Sequence, residues 1–334
     1  MVTIRDVARK AGVSVSTVSR VINGSGYVGE DTERKVLLAM KELNYQPNRI
    51  ARGLVSRRTS TIGLLIPDVA NPFFSEMARG VEDAAIAEGY SVLLCNSDWK
   101  SERELMYIDL LKGRWVDGIV IVGSRSDSRV IEAAVGDTPL VIVDRRSSEF
   151  RWSVWTDNRQ GAALVVEHLL KMGCSKIVHI AGPSDSPSAQ ERRKGYEQAI
   201  SQAGLVAIVY EGDFRFASGF EIATMILEGS QRPDGIFAAN DLMAIGVLQA
   251  AVKLGVQVPH EVAIVGYDNI PSAGYVSPSL TTVHQPSYQM GVSAFDLLLE
   301  QFVTNSGQSA RKVKFEPKLV VRDSSLKCPS RNSV

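Results

Sequence analysis

From Ile62 onward the chain alternates short, unbroken runs of β-branched and aliphatic residues with amphipathic helical stretches. A strand that is apolar on both faces leaves neither to water, so such runs predict parallel sheets covered by helices on both sides. Ile62 to Ile66, Val92 to Leu94, Ile119 to Val122 and Val141 to Val143 read as strands, with helices over Phe74 to Glu88 and Glu102 to Lys112. The cycle then restarts. Ile177 to Ala181, Ala207 to Tyr210, Ile236 to Ala239 and Val262 to Val265 are strands, separated by helices near Gln190 to Ala203, Ala217 to Leu227 and Leu242 to Leu254. An internal echo marks the cycles as like halves: Asp117-Gly118-Ile119-Val120 follows the first opening strand by about the interval at which Asp234-Gly235-Ile236-Phe237 follows the second. With 334 residues, 45% of them hydrophobic, the chain is long enough for two doubly wound lobes, a cleft between them and a separate amino-terminal module.

That module has a different period. Thr3 and Asp6 form a capping pair, and Ile4, Val7, Ala8 and Ala11 recur at helical spacing, which predicts a first helix from about Ile4 to Ala11. Gly12 takes the left-handed conformation that ends a helix, and Ser14 is an N-cap for a second one starting at Val15. Val18, Val21 and Ile22 fall on its buried side, leaving Ser16, Thr17, Ser19 and Arg20 outward. A third helix, from about Asp31 to Leu43, offers Val36, Leu37, Met40 and Leu43 to the same small core.

Any three-helix bundle shows such stripes, so amphipathicity alone implies nothing about function; charge does. Residues 1–60 hold 11 Lys and Arg against 5 Asp and Glu, whereas the whole chain has 37 of each and is neutral, so residues 61–334 carry 26 against 32. A head of net +6 on a body of net −6 suits a polyanion at one end only. Hydroxyls at a helix start hold phosphates, and an arginine one turn further in reaches a guanine edge with two bonds. The turn and the charge together predict a DNA-reading head.

After Pro47 the helical pattern breaks, and Asn48 caps a stub from Arg49 to about Ser56 that is too short to be stable alone. It carries Arg49, Arg52, Arg57 and Arg58 with Ile50, Ala51 and Leu54 on one stripe. A plain charged linker has that composition too; apolar side chains amid arginines also fit a paired helix wedged into a minor groove, with Leu54 parting a base step.

In open parallel sheets ligands sit beyond the carboxyl ends of the strands. Asn71, Phe73 and Phe74 follow the first strand, Asp144 and Arg145 the fourth, Asn240 and Asp241 follow Ala239, and Asp268 follows Tyr267; Arg192, Phe214 and Gln285 stand at comparable places. Singly these are helix caps, core aromatics or surface charge. Jointly they are planar polar groups with aromatic faces on both lobes, the combination that binds sugar hydroxyls and C–H faces. Cys95, Cys174 and Cys328 are odd in number and scattered, which argues against a disulfide frame and a zinc site. No long apolar run and no signal-like start occurs, so the expectation is a cytoplasmic chain without a cofactor or metal. No Gly-x-Gly-x-x-Gly, Walker or Gly-x-Ser-x-Gly motif follows a strand, and His168, His179, His260 and His284 read as structural or lone, which argues against an enzyme and a catalytic residue.

Thr3-Ile4-Arg5-Asp6-Val7-Ala8, Ala11-Gly12-Val13-Ser14, Thr17-Val18-Ser19-Arg20-Val21, Tyr45-Gln46-Pro47-Asn48, Ala51-Arg52-Gly53-Leu54, Gly266-Tyr267-Asp268 and Leu280-Thr281-Thr282-Val283 stand where the LacI/GalR family of bacterial transcription regulators has its motifs, and over residues 2 to about 323 the chain resembles that family. The resemblance implies a helix-turn-helix head (1–46), a hinge (47–60), a periplasmic-binding-protein-like core (61–325) and a disordered tail (326–334). The core divides into an N-lobe of about 61–157 and 288–316 and a C-lobe of about 158–287 and 317–325. It implies a homodimer on a palindromic operator, with Val15, Ser16, Thr17, Arg20 and Asn23 in the major groove and Ala51, Arg52 and Leu54 in the minor groove. The cleft residues Asn71, Phe73, Phe74, Asp144, Arg145, Arg192, Phe214, Asn240, Asp268 and Gln285 resemble those of ribose-binding members of the related sugar-receptor fold, which implies ribose or a similar monosaccharide as effector. A catabolite regulator answering to a phosphorylated carrier protein, and a purine-responsive repressor, are the alternatives. Phe150, Trp152 and Trp155 have no counterpart in these motifs, though Trp155 lies near the cleft by position.

Overall fold

The computed structural model describes residues 2–23, 26–45, 59–145, 150–304 and 310–326. The hinge residues Ala51, Arg52 and Leu54, the side chain of Asn23, Cys328 and the tail beyond 326 lie outside them. The chain forms two compact units, residues 1–59 and 60–334.

The first unit contains helices α1 (Ile4–Ala11), α2 (Val15–Asn23) and α3 (Glu30–Glu42). Asp6 Oδ2 accepts from the Thr3 backbone N–H at 2.9 Å and from its hydroxyl at 2.7 Å, so the capping pair fixes the start of α1. Gly12, at φ 68°, ends it. Ser14 Oγ accepts the Thr17 N–H at 3.1 Å and so caps α2. Val7, Ala8, Val18, Val36 and Ala39 are the buried core, with Met40 and Leu43 packed against it. Leu37 does not join them. It is 52% exposed, because it lies a full 100° step round the helix from Val36, and Ala39 takes the inward place instead.

In the second unit all five strand pairings of the N-lobe sheet are parallel, in the order β11-β5-β4-β3-β1-β2. Its strands are β1 (Thr61–Ile66), β2 (Ser91–Asn96), β3 (Gly118–Val122), β4 (Leu140–Val143), β5 (Trp152–Thr156) and β11 (Arg311–Phe315). The C-lobe sheet, β12-β10-β9-β8-β6-β7, is built from β6 (Ile177–Ala181), β7 (Ile208–Glu211), β8 (Gly235–Ala238), β9 (Ala263–Asp268), β10 (Thr281–His284) and β12 (Lys318–Val320). Here one departure from the expected all-parallel lobes occurs: the edge strand β12 runs antiparallel to β10, since it reaches the sheet directly from β11 of the other lobe.

Covering helices are α4 (Pro72–Ala87), α5 (Ser101–Gly113), α6 (Ser128–Val135), α7 (Asn158–Lys171), α8 (Pro187–Gln202), α9 (Phe216–Glu228), α10 (Asp241–Leu254) and α11 (Ser287–Thr304). A Cβ on Gly80 would stand 2.1 Å from the Tyr288 carbonyl oxygen, and one on Gly291 would stand 2.1 Å from that of Met77; only glycine lets α4 and α11 pack so close. The sequence echo has a structural basis. β3 lies between β4 and β1 as β8 lies between β9 and β6. Asp117 accepts the Ser60 N–H at 2.9 Å ahead of β1, and Asp234 accepts those of Ser175 and Lys176 at 2.8 Å ahead of β6, so the repeated aspartate staples the opening strand of each lobe.

Candidate functional site

At the carboxyl ends of both sheets a cavity is lined by Asn71, Phe73, Phe74, Trp99, Asp144, Ser188, Arg192, Phe214, Asn240 and Asp268. Eight of the ten residues expected at the cleft therefore share its wall.

The centre is Arg192 on α8, only 2% exposed. Its Nε donates to Asn158 Oδ1 at 2.8 Å, its Nη1 to the Ala239 carbonyl at 2.6 Å, and its Nη2 lies 3.6 Å from Asp268 Oδ1. Its guanidinium is stacked 3.9 Å from the centroid of the Tyr267 ring. These partners leave the arginine one orientation. Gln285 is not a wall residue; it stands behind Asp268 and donates to its Oδ1 at 2.7 Å. Burial pushes the Asp268 carboxyl up to about 7, against the opposing pull of Arg192 and Gln285, and pushes Asp144 up to about 6, against Arg192, Ser188 and Asn158. Both carboxyls are thus held well above the ordinary carboxylate range. Asp144 Oδ1 and Gln285 Oε1 are buried and have no hydrogen-bond partner among the described residues. A buried acceptor left so is costly, and at Asp144, which faces the cavity, a donor on a ligand would relieve it.

Asn71 and Asn240 combine the two roles that the sequence left open. Each caps a helix, accepting the N–H of Phe73 at 3.0 Å and of Met243 at 2.9 Å, and each also faces the cavity. Asn240 Nδ2 further donates to the Phe214 carbonyl at 2.8 Å, which anchors the loop carrying that ring. A Cβ on Gly182 would fall 2.2 Å from the Phe214 ring, so glycine there makes room for it. Among the described residues nine non-glycine positions have positive φ, and four of them, Trp99, Asp144, Phe214 and Asp268, line this cavity. Strained backbone gathered in one place marks a site held for function.

Arg145 does not line the cavity. Its Nη1 donates to the Ser126 carbonyl at 2.7 Å and its guanidinium lies 5.3 Å from the Phe150 ring centroid, because the left-handed turn at Asp144 sends neighbouring side chains opposite ways. Trp155 lies in β5 and is likewise not a wall residue, whereas Phe150 and Trp152 are core. Trp99, Ser188 and Asn158 went unmarked in the sequence, although Asp157-Asn158 at the start of α7 carries a recognisable cap signal.

In the head, Val15, Ser16 and Arg20 are exposed on one side of α2 while Val18 on the other is fully buried. Thr17 is half-buried, its hydroxyl 2.8 Å from that of Ser14.

Residues 3–48 match the bacterial regulatory proteins of the lacI family, and residues 166–325 match the periplasmic binding protein-like domain. A ribose operon repressor of Halalkalibacterium halodurans is 42% identical over 323 residues, covering 97% of each chain. The chain belongs to the LacI family. Its fold is accordingly shared with a lac repressor dimer solved bound to operator and an anti-inducer (TM-score 0.89, 31% identity, 98% of this chain and 99% of that one). A LacI-family regulator from Enterococcus faecium solved with bound ribose is also similar (TM-score 0.73, 30% identity, 80% and 100% covered). Family membership makes the chain a DNA-binding transcription regulator and not an enzyme. Among the described residues no helix is long and apolar enough to cross a membrane.

Proposed function

We propose that this LacI-family chain is a repressor that binds a palindromic operator as a homodimer and is controlled by a small sugar, with D-ribose the best-fitting effector. The observation that carries the reading is the buried Asp144, Arg192 and Asp268 set in a cavity with aromatic side walls. A monosaccharide hydroxyl both donates and accepts, so it serves a carboxylate and a guanidinium at once. Its C–H faces lie on Phe73, Phe74 and Phe214. The similarity to a ribose operon repressor and to a regulator with bound ribose supports the choice of sugar. In this reading Asn71, Phe73, Phe74, Asp144, Arg192, Phe214, Asn240 and Asp268 contact the effector, Gln285 positions Asp268, and Arg145 braces the loop behind Asp144. Val15, Ser16, Thr17, Arg20 and Asn23 read the major groove, and Ala51, Arg52 and Leu54 the minor groove. Sugar binding closes the lobes, changes the operator affinity through the segment that joins core and head, and relieves repression.

Titration calorimetry with D-ribose, D-xylose, D-glucose and hypoxanthine tests this directly. The expected result is tightest binding of D-ribose, with operator protection lost in footprints at saturating ribose. Binding of hypoxanthine alone would move the assignment to a purine-responsive regulator. Capture of a phosphorylated carrier protein that restores operator binding in the absence of any sugar effect would move it to a catabolite regulator.

A pH dependence follows from the two raised carboxyls. A sugar hydroxyl donating to Asp268 or Asp144 favours the ionised form, so binding expels the proton that the free site holds below about pH 7. Affinity for D-ribose is therefore expected to rise by about tenfold or more between about pH 5 and about pH 8 and then level off. Calorimetry in buffers of different ionisation enthalpy should record proton release near pH 6. Proton uptake, or a flat profile, would remove the carboxylates as acceptors of the ligand.

A further inference from the structure

Trp99 follows β2 of the N-lobe in a turn where two successive non-glycine residues are left-handed, Asp98 at φ 54° and Trp99 at φ 59°. L-residues avoid that conformation, so the turn is held in place by what its side chains touch. The indole stands edge-on to Phe74 of its own lobe at 5.5 Å and against Phe214 of the other lobe at 5.5 Å. The Arg125 guanidinium covers it at 4.5 Å. The hydrophobic cores of both lobes include it among the side chains packed against them. Ion pairs flank it and also span the lobes: Arg215 Nη2 lies 3.3 Å from Asp98 Oδ1, and Arg125 Nη1 lies 3.1 Å from Asp185 Oδ1. Asp185 is well exposed to water and Asp98 half-buried, so these bonds orient the turn more than they hold the lobes together. The aromatic contact is the main closure, and it is also part of the cavity wall.

We propose that Trp99 is the specificity-determining gate of the cleft, its indole roofing the site at the size of one monosaccharide and leaving Phe214 whenever a ligand is admitted or released. The inference rests on the sugar reading above for the ligand class. Trp99 is the largest side chain in the wall and closes on Phe214 across the cleft, so a sugar enlarged by a second ring meets the indole. Because the same ring bridges the lobes, ligand release is slowed by the contact it makes with Phe214.

The test uses full-length wild type, Trp99→Ala and Trp99→Phe, each first shown to bind operator. The probes are D-ribose, uridine (ribose enlarged at C1) and 5-O-benzyl-D-ribose (enlarged at C5). Wild type is expected to bind D-ribose and neither enlarged probe. Trp99→Ala is expected to bind at least one enlarged probe within about tenfold of D-ribose and to release D-ribose about tenfold faster in stopped flow, with Trp99→Phe between them. A Trp99→Ala protein that keeps the wild-type preference and release rate overturns the gate, as does a wild type that accepts an enlarged probe as readily as D-ribose. Should wild type bind no D-ribose, the ribose assignment fails. The gate is then read from the pairs D-glucose with maltose and hypoxanthine with inosine, and from acrylamide quenching of ligand-free protein. The fluorescence lost in Trp99→Phe should be shielded from acrylamide in wild type; quenching as free as that of indole in water overturns the proposal.

Discussion

Arg192→Met is expected to weaken D-ribose binding by roughly thirty- to several-thousandfold, as removal of one partner from a buried charged pair costs about 2–5 kcal/mol of binding. The side chain is 2% exposed and gives its donors to Asn158, Ala239 and Asp268, so no water can replace it without rearrangement. Its loss also leaves two buried carboxyls without their cation, which costs the fold about 3–5 kcal/mol when both stay ionised. The sign of the pH effect follows. The folded-state carboxyls are already raised, to about 7 and about 6, so the fold binds more protons than the unfolded chain and loses stability as pH climbs from about 4 through about 7. Without Arg192 both rise further. Urea unfolding of the variant should therefore show a large deficit at about pH 8 and a smaller one at about pH 5, where the orphaned carboxyls take up protons. A deficit equal at both would mean that lost packing on Tyr267, and not charge, is what Arg192 supplies. Operator binding by the ligand-free variant, measured where it is folded, should persist, because the head is a compact unit of its own.

The strands that were legible in the sequence are its short apolar runs: β1, β3, β4, β6, β8 and β9 declare themselves because both faces are buried, and the edge strands β2 and β7 show through Val92 to Leu94 and Ala207 to Tyr210. β5 and β10 hide. Ser153, Thr156, Thr281 and Thr282 are each 0% exposed, so polar residues occupy interior positions that a hydropathy pattern reads as surface. β11 hides for the opposite reason, as an edge strand with exposed Arg311, Lys312 and Lys314. The cleft was legible because strand ends are fixed by topology, so whatever follows an apolar run lies near the ligand. That logic overreached at Arg145, where one left-handed residue before it turns the side chain away. It missed Trp99 and Ser188, which come to the cavity from a strained turn and from the first turn of α8, neither tied to a motif.

Arg20→Ala is expected to weaken the cognate operator by about 5- to 150-fold, the 1–3 kcal/mol of one bidentate base contact, while binding to random duplex barely changes. The geometry of α2 sets Arg20 apart from the other cations of the head. Arg9 lies 3.5 Å from Asp6 and Lys10 lies 2.9 Å from Glu42, so their charge is partly spoken for; Arg20 shares the lack of an ion pair among the described residues with Arg5, Arg34, Lys35 and Lys41, and differs from them in standing on the exposed face of α2. The Ser14 cap fixes the start of the helix, and fully buried Val18 fixes its rotation, so the exposed Arg20 shares one face with Ser16. Salt dependence separates the two things an arginine there can do. A phosphate contact releases a counterion, so its loss would reduce the slope of log K against log salt by about 0.9 and weaken every duplex alike. A base contact leaves that slope untouched and lowers only the specific affinity. Gel-shift titrations of wild type and variant on cognate and scrambled operators, each at several salt concentrations, therefore read the role twice. Parallel lines displaced on the cognate sequence alone assign Arg20 to the base edge; a reduced slope on both sequences assigns it to the backbone.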